Sequence, residues 1–337
     1  MAWIRGWVGV AAMALACAGC PGTGPAPAAS TPKVGLVFDI GGKGDKSFND
    51  SAWRGLSRAK SELGLDFETF EPTDGADRES ALRMLASRKV PLLFAIGFMF
   101  TDDVDRLGAE FPGVKFACVD YALRPGKAPG PNVLALKFKE EEGSYLVGAL
   151  AALVSKSGTI GFVGGMESPL IRKFEAGYGA GAKAVRPDVT VIASYAGSTG
   201  DAFRNPARGK ELALAMLARG ADVIYHASGS TGLGVFEAVR GKDGALAIGV
   251  DSDQAGEAPG KVLTSMVKKV DVAVFEAAKA WKEGRLEGGV KELGLKEGGV
   301  DYVYDERNKA LVPEEVHAKV EALRERIVRG EVKVPAE

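Results

Sequence analysis

The chain has 337 residues, with 43 Lys and Arg against 44 Asp and Glu, and a formal net charge of −1. That balance offers no basic surface to nucleic acid or to an anionic membrane face. With two histidines and three cysteines, neither a metal cluster with ligand spacing nor a disulfide framework is in view.

The first twenty residues read as an export signal. Met1–Trp7 carries one charge, Arg5, and Val8–Ala18 is an unbroken run of eleven small or apolar residues leading into Ala-Gly-Cys at 18–20. Such a run is too short for a bilayer span, which needs roughly twenty residues, but it fits the apolar region of a signal peptide. Small residues ahead of Cys20 resemble the lipobox of bacterial lipoproteins, although Cys17 stands where that pattern usually has Leu. The expectation is a signal peptide over 1–19 and lipidation of Cys20, with plain secretion as the alternative. PGTGPAPAASTP follows; nothing in it can bury a core, so 20–32 reads as the lipidated Cys and a flexible tether of at most about 40 Å. Loss of Arg5 leaves a mature charge of −2, from 42 basic and 44 acidic residues. Cys118, inside the apolar run Val114–Val119, is then a lone buried thiol with no disulfide partner.

From Lys33 onward, apolar runs of strand length stand at 33–38, 90–96, 114–119, 133–138, 159–163, 189–195, 221–226, 245–250 and 262–267. Stretches with helical spacing separate most of them, at Ala52–Leu63, Arg78–Ser87, Glu140–Val154, Phe174–Val185, Gly209–Arg219 and Val272–Glu283. This alternation predicts α/β architecture with parallel sheets and helices on both faces. About 300 residues are ample for two such domains, so two Rossmann-like lobes are expected. The first is placed at 33–137 plus 252–285, and the second at 138–251 plus 286–312. Pro313 and apolar spacing at Val316, Val320, Leu323 and Ile327 predict a C-terminal helix and tail over 313–337.

The strands end alike. Asp39, Gly97, Asp120, Gly164–Gly165, Gly197, Ser228–Gly229 and Asp251 follow successive runs, at the carboxyl edge where open α/β sheets bind ligands. Asp and Gly are also common loop formers; it is their recurrence on one rim that points to a site. The stretch FDIGGKGDKSFND at 38–50 has the ingredients of a phosphate loop but puts Asp45 where the Gly before Lys-Ser must stand, so a phosphate would be repelled. A glycine turn with Ser47 opening a helix and Phe48 and Asn49 facing a cleft is the better reading. Enzyme chemistry is not in evidence. His226 reads as a satisfied strand histidine, His317 as an exposed residue of the last helix, and GSTGLG at 229–234 as a turn presenting backbone N–H groups.

DKSFND at 45–50, the GF of AIGF ending at Phe98, FACVD at 116–120, PLIRKFEAGYGAG at 169–181, GADVIYHASGSTGLGV at 220–235, GVDSDQ at 249–254 and TSMVKK at 264–269 resemble the basic membrane protein family of bacterial lipoproteins, of the purine nucleoside receptor A type. The resemblance runs in order along the whole chain after the tether. It implies a type I periplasmic-binding-protein fold, with two lobes, a hinge and a ligand cleft between them. It also implies a monomeric substrate-binding protein without enzymatic activity or cofactor, which hands purine nucleosides to an ABC permease and its ATPase. Carried over to this chain, it places Phe48 and Phe174 on the two faces of the base, with Phe203 as an alternative second ring. Asn49 and Asp120 would meet the base edge, Asp251 and Lys268 the ribose hydroxyls with Lys268 pairing Asp251, and Gly229 would supply N–H donors. Asp39 and Phe98 complete the set. A sugar or other small polar ligand, an envelope nucleoside sensor, and a nucleoside hydrolase or phosphorylase are the alternatives.

Overall fold

The computed structural model describes residues 33–73 and 77–337; the expected signal peptide, Cys20 and the tether lie outside the described residues. The chain runs β1 (Lys33–Val37), α1 (Phe48–Leu63), β2 (Asp66–Phe70), α2 (Asp77–Ser87), β3 (Leu92–Ile96), α3 (Thr101–Glu110), β4 (Lys115–Val119) and β5 (Val133–Phe138). It continues with α4 (Glu140–Val154), β6 (Thr159–Met166), α5 (Pro169–Val185), β7 (Thr190–Gly197), α6 (Pro206–Ala218), β8 (Val223–Ala227), α7 (Gly232–Arg240) and β9 (Leu246–Asp251). The last elements are β10 (Val262–Lys268), α8 (Val270–Lys282), β11 (Gly289–Leu293), β12 (Val300–Tyr302) and α9 (Glu314–Val328).

Two six-stranded sheets result, ordered β11-β5-β4-β3-β1-β2 and β12-β10-β9-β8-β6-β7. All pairings are parallel except β10 with β12. Central strands such as β3, LLFAI, and β8, VIYHA, are buried along their whole length, as expected for strands with both faces covered by helices. This is the doubly wound, two-lobe architecture anticipated from the alternation of runs.

The strand order places two segments differently from the expected boundaries. Within 252–285, α8 packs on α1 of the first lobe, with Arg58 over the Phe275 ring at 3.7 Å and Asp271 N–H donating to Ser51 Oγ. β10, however, belongs to the second sheet beside β9. Within 286–312, β11 joins β5 in the first sheet and only β12 joins the second. The chain therefore crosses between lobes at Phe138–Glu140, at Lys268–Val270 and between Leu293 and Val300. These crossings are tied by Lys139 N–H to Leu293 O at 3.1 Å and Lys269 N–H to Gly299 O at 2.8 Å. Apolar periodicity marks a strand but not the sheet that it enters, which is why the crossings were not visible beforehand.

Glycines set one contact that bears on the cleft. A Cβ at Gly148 on α4 would overlap the Tyr178 carbonyl oxygen, and one at Gly181 on α5 would overlap that of Tyr145. The two helix backbones thus touch, which brings Lys173 of α5 against Glu140 at the start of α4. Helix α9 packs on α4 through buried Val316 and Val320, matching the apolar stripe read from the sequence.

Candidate functional site

The carboxyl ends of β1, β4, β9 and β10, the turn after β8 and the starts of α1 and α5 converge on one cavity, with about 540 Å³ of empty space when the part open to solvent is counted. Asp39, Phe48, Asn49, Phe98, Asp120, Phe174, Gly229, Asp251 and Lys268 all line it, as does Phe203. The nine expected ligand-binding residues are thus brought to one place. Sequence reasoning missed Ile40, Leu170, Ile171, Ala227 and Val250, apolar wall residues with no chemical signature, and did not single out Ser228 for its side chain.

Asp120 and Asp251 occupy matching places, one following β4 and the other ending β9, each fourth from the far sheet edge. Both adopt left-handed backbone, φ 62°. Asp tolerates that region better than most residues, but the conformation costs free energy, of the kind that recurs at functional sites. The turn aims both carboxyl groups along the sheet rim into the cavity.

The ammonium of Lys268 is the electrostatic centre. It is fully buried and donates to Asp120 Oδ2 at 2.6 Å and Glu140 Oε1 at 3.2 Å. The rings of Phe48, Phe138 and Phe174 lie 4.9, 5.2 and 5.6 Å from it. Burial would lower its pKa, but Asp120, Glu140 and Asp251 outweigh that and hold it above the usual lysine value. Glu140 is kept below its usual value against burial by Lys268 and by Lys173, whose ammonium lies 2.6 Å from Glu140 Oε2. The expected Lys268–Asp251 pair is therefore replaced by Lys268 with Asp120 and Glu140. Asp251 Oδ2 instead accepts from Ser47 Oγ at 2.6 Å. Burial raises Asp251 above the ordinary carboxylate range and Asp120 to about 6. Asp120 Oδ1 is buried with no hydrogen-bond partner among the described residues.

The glycine turn before α1 differs in detail from its sequence reading. Ser47 sits at the N-cap position, yet its hydroxyl serves Asp251 rather than the helix. Asp45 does the capping: Oδ1 accepts from the N–H groups of Ser47 and Asp50, and Oδ2 from that of Asn49 at 2.8 Å. A carboxylate at a helix N-terminus meets unpaired N–H donors and the positive end of the dipole. Asn49 in turn bridges Asp39 and Asp45, accepting from Asp39 N–H at 3.0 Å and donating to Asp45 Oδ2 at 3.1 Å. Gly97, at φ +119°, leaves room for Asp39, since a Cβ there would overlap Asp39 Oδ2.

Burial pushes Asp39 up to about 7. Between pH 3.8, the value of a free Asp side chain, and about 7, the folded chain holds a proton there that the unfolded chain has released. Stability therefore falls as pH rises through this window. Asp39→Asn is expected to flatten the dependence of unfolding free energy on pH between 5 and 8, with the variant gaining most on wild type at pH 8. Urea denaturation at both pH values measures it; parallel curves would contradict the assignment.

His226 is buried on β8, its Nε2 3.1 Å from Gln254 Oε1, in keeping with a satisfied strand histidine. Cys118 is buried and free, and burial raises its thiol well above the usual value. His317 is not an exposed helix residue: it stacks on Tyr304 at 3.6 Å, and its Nδ1 lies 2.7 Å from Tyr302 Oη. The cleft thus combines aromatic rings, four carboxyl groups and one lysine, an arrangement suited to binding an uncharged polar ring compound.

Known proteins agree with this architecture. The family description "ABC transporter substrate-binding protein PnrA-like" matches residues 32–337. The ABC transporter nucleoside-binding protein BmpA of Lactococcus lactis is 34% identical, covering 90% of this chain and 89% of its own. An uncharacterized lipoprotein of Pyrococcus furiosus is 36% identical, over 94% of this chain and 84% of its own. Among solved structures, an ABC transporter solute-binding protein from Aeropyrum pernix superposes with a TM-score of 0.81 at 32% identity, covering 90% of this chain and 94% of that one. The chain therefore belongs to the PnrA-like, or basic membrane protein, family of ABC transporter substrate-binding proteins, which bind solutes rather than transform them.

Proposed function

We propose that this protein binds purine nucleosides in the cleft between its two sheets and delivers them to an ABC permease driven by its ATPase, from the outer side of a membrane to which Cys20 anchors it. The observation that carries the reading is the composition of one cavity: Phe48, Phe174 and Phe203 beside Asp39, Asp120, Asp251 and Lys268. Aromatic faces stack on a base for about 1–3 kcal/mol each, and ionised carboxylates accept strongly from ribose hydroxyls and ring N–H groups. In this reading Phe48 and Phe174 hold the base, Asp120 Oδ1 meets its edge, and Asp251 and Lys268 meet the ribose. The name of the Lactococcus relative supports the ligand class, and that of the Pyrococcus relative supports the anchor.

The same carboxylates disfavour a nucleotide. Asp45 contributes less to that than its position in the loop suggested, because its charge is engaged by the helix; Asp120 and Asp251 supply the repulsion. Isothermal titration of ligand-stripped protein from Ser30 onward, with guanosine, inosine, adenosine, cytidine, ribose and GMP, tests the proposal. Tight binding of purine nucleosides, with GMP at least about tenfold weaker from a single like-charge contact, is the expected result. No heat with any nucleoside, or GMP binding as tightly as guanosine, overturns it.

A further inference from the structure

Behind the cleft wall, three side chains form a relay. Ser228 Oγ lies 3.4 Å from His226 Nδ1, and His226 Nε2 lies 3.1 Å from Gln254 Oε1. Gln254 Oε1 also accepts from the backbone N–H of Val250 at 2.8 Å. A backbone N–H can only donate, which fixes the amide: its oxygen, not its nitrogen, faces both Val250 and His226. Nε2 must therefore carry a hydrogen to meet that oxygen. Burial lowers the ring's pKa to about 4, so at neutral pH the imidazole is uncharged and Nδ1 is bare. The hydrogen between Nδ1 and Ser228 can then come only from the serine.

We infer that Ser228, a residue lining the cleft, determines ligand specificity: His226 and Gln254 turn its hydroxyl hydrogen inward and leave its oxygen as an acceptor for a ligand hydroxyl. His226 is the positioning residue, with its ring held edge-on to Phe236 at 5.2 Å and close enough to Gly232 that a Cβ there would overlap it. A ligand offering only an acceptor at this point would face oxygen to oxygen, whereas one offering a hydroxyl hydrogen completes the chain. In this way a neutral wall residue selects for a donor without adding charge to the cleft.

The inference rests on the nucleoside reading for the identity of that hydroxyl, but not for the polarity of Ser228. Two experiments separate them. Nitrogen-15 NMR of the ligand-free protein reads the tautomer of His226: protonation at Nε2 is expected, and protonation at Nδ1 overturns the assignment. Titration of wild type and Ser228→Ala with guanosine and its 2′-, 3′- and 5′-deoxy analogues reads the contact. Ser228→Ala should weaken guanosine about tenfold, as for one lost hydrogen bond. It should leave unchanged the one analogue that wild type already binds more weakly by the same factor. Equal losses for all four ligands, or none for any, overturn the role of Ser228. Absence of binding by wild type would instead refute the nucleoside reading, and the tautomer would then decide the acceptor assignment alone.

Discussion

Replacing Lys268 by methionine is expected to destabilise the protein by about 3–5 kcal/mol at neutral pH, because removing one partner from a buried ion pair leaves the other charge uncompensated. Methionine matches the length of the aliphatic stem and keeps contact with Phe48, Phe138 and Phe174, so little packing is lost. Glu140 retains Lys173 at 2.6 Å; Asp120 retains nothing, since Lys268 is the only donor to its carboxyl group among the described residues. The loss therefore falls mainly on Asp120 and depends on pH. Its carboxyl already titrates near 6 with Lys268 beside it, and removal of the cation moves it higher. Protonation at low pH relieves the variant, so the gap between wild type and Lys268→Met should narrow from pH 8 to pH 5. Chemical denaturation at the two pH values measures it. A gap below about 1 kcal/mol at pH 8, the size of an exposed pair, or one that widens on acidification, would contradict the account of this ion cluster.

Asp251→Asn is expected to reduce guanosine affinity by about a hundredfold or more while leaving the fold intact. Asn accepts the left-handed backbone that Asp251 adopts at φ 62° better than almost any other residue. It can also accept from Ser47 Oγ as Asp251 Oδ2 does. What changes is charge: in the proposed binding mode, two charge-assisted hydrogen bonds to ribose hydroxyls, each worth about 1.5–3 kcal/mol, would become weaker neutral contacts or a clash of donors. Burial holds the Asp251 carboxyl above its usual range, so its ionised form opposes folding, and the variant should be at least as stable as wild type at pH 8. Affinity and stability thus move in opposite directions. Calorimetric titration and thermal melts on the same sample read both. Unchanged affinity would remove Asp251 from the binding site.

Much of this site was legible because α/β folds gather the ends of their strands on one rim. Asp39, Asp120 and Asp251 announce themselves as polar residues directly after apolar runs, and Phe48 and Asn49 follow a glycine turn that could not be a phosphate loop. The pairings were not legible. Lys268 meets Asp120 and Glu140 from 148 and 128 positions away, and Ser47 meets Asp251 across 204; no local pattern encodes such partners. Asp45 read as a charge facing the ligand because its capping bonds depend on the turn's geometry. β2 escaped notice because it is an edge strand, half-buried at every position, without the continuous apolar run that marks β3 or β8. β10 and β11 depart from the expected boundaries for different reasons: the run at 262–267 marks a buried strand but not the sheet it enters, and β11, GVKEL, is an exposed edge strand with no apolar run to mark it.

The relation between the cleft and the crossings gives the binding site a mechanical setting. Lys268 ends β10 at one crossing and Glu140 opens α4 at another, so the ion cluster joins the site to the segments about which the two lobes would turn. A ligand that engages Asp120 and Lys268 together bridges elements of both sheets, and favours the closed arrangement by whatever binding energy it adds there.

A crystal structure of ligand-stripped protein soaked with guanosine tests the central claim most directly. The account predicts purine density against the Phe48 ring, the base edge within hydrogen-bond reach of Asp120 Oδ1, and the ribose hydroxyls at Asp251 and Lys268. A nucleoside bound elsewhere, or lying in the cleft with its ribose turned away from Asp251 and Lys268, would contradict it.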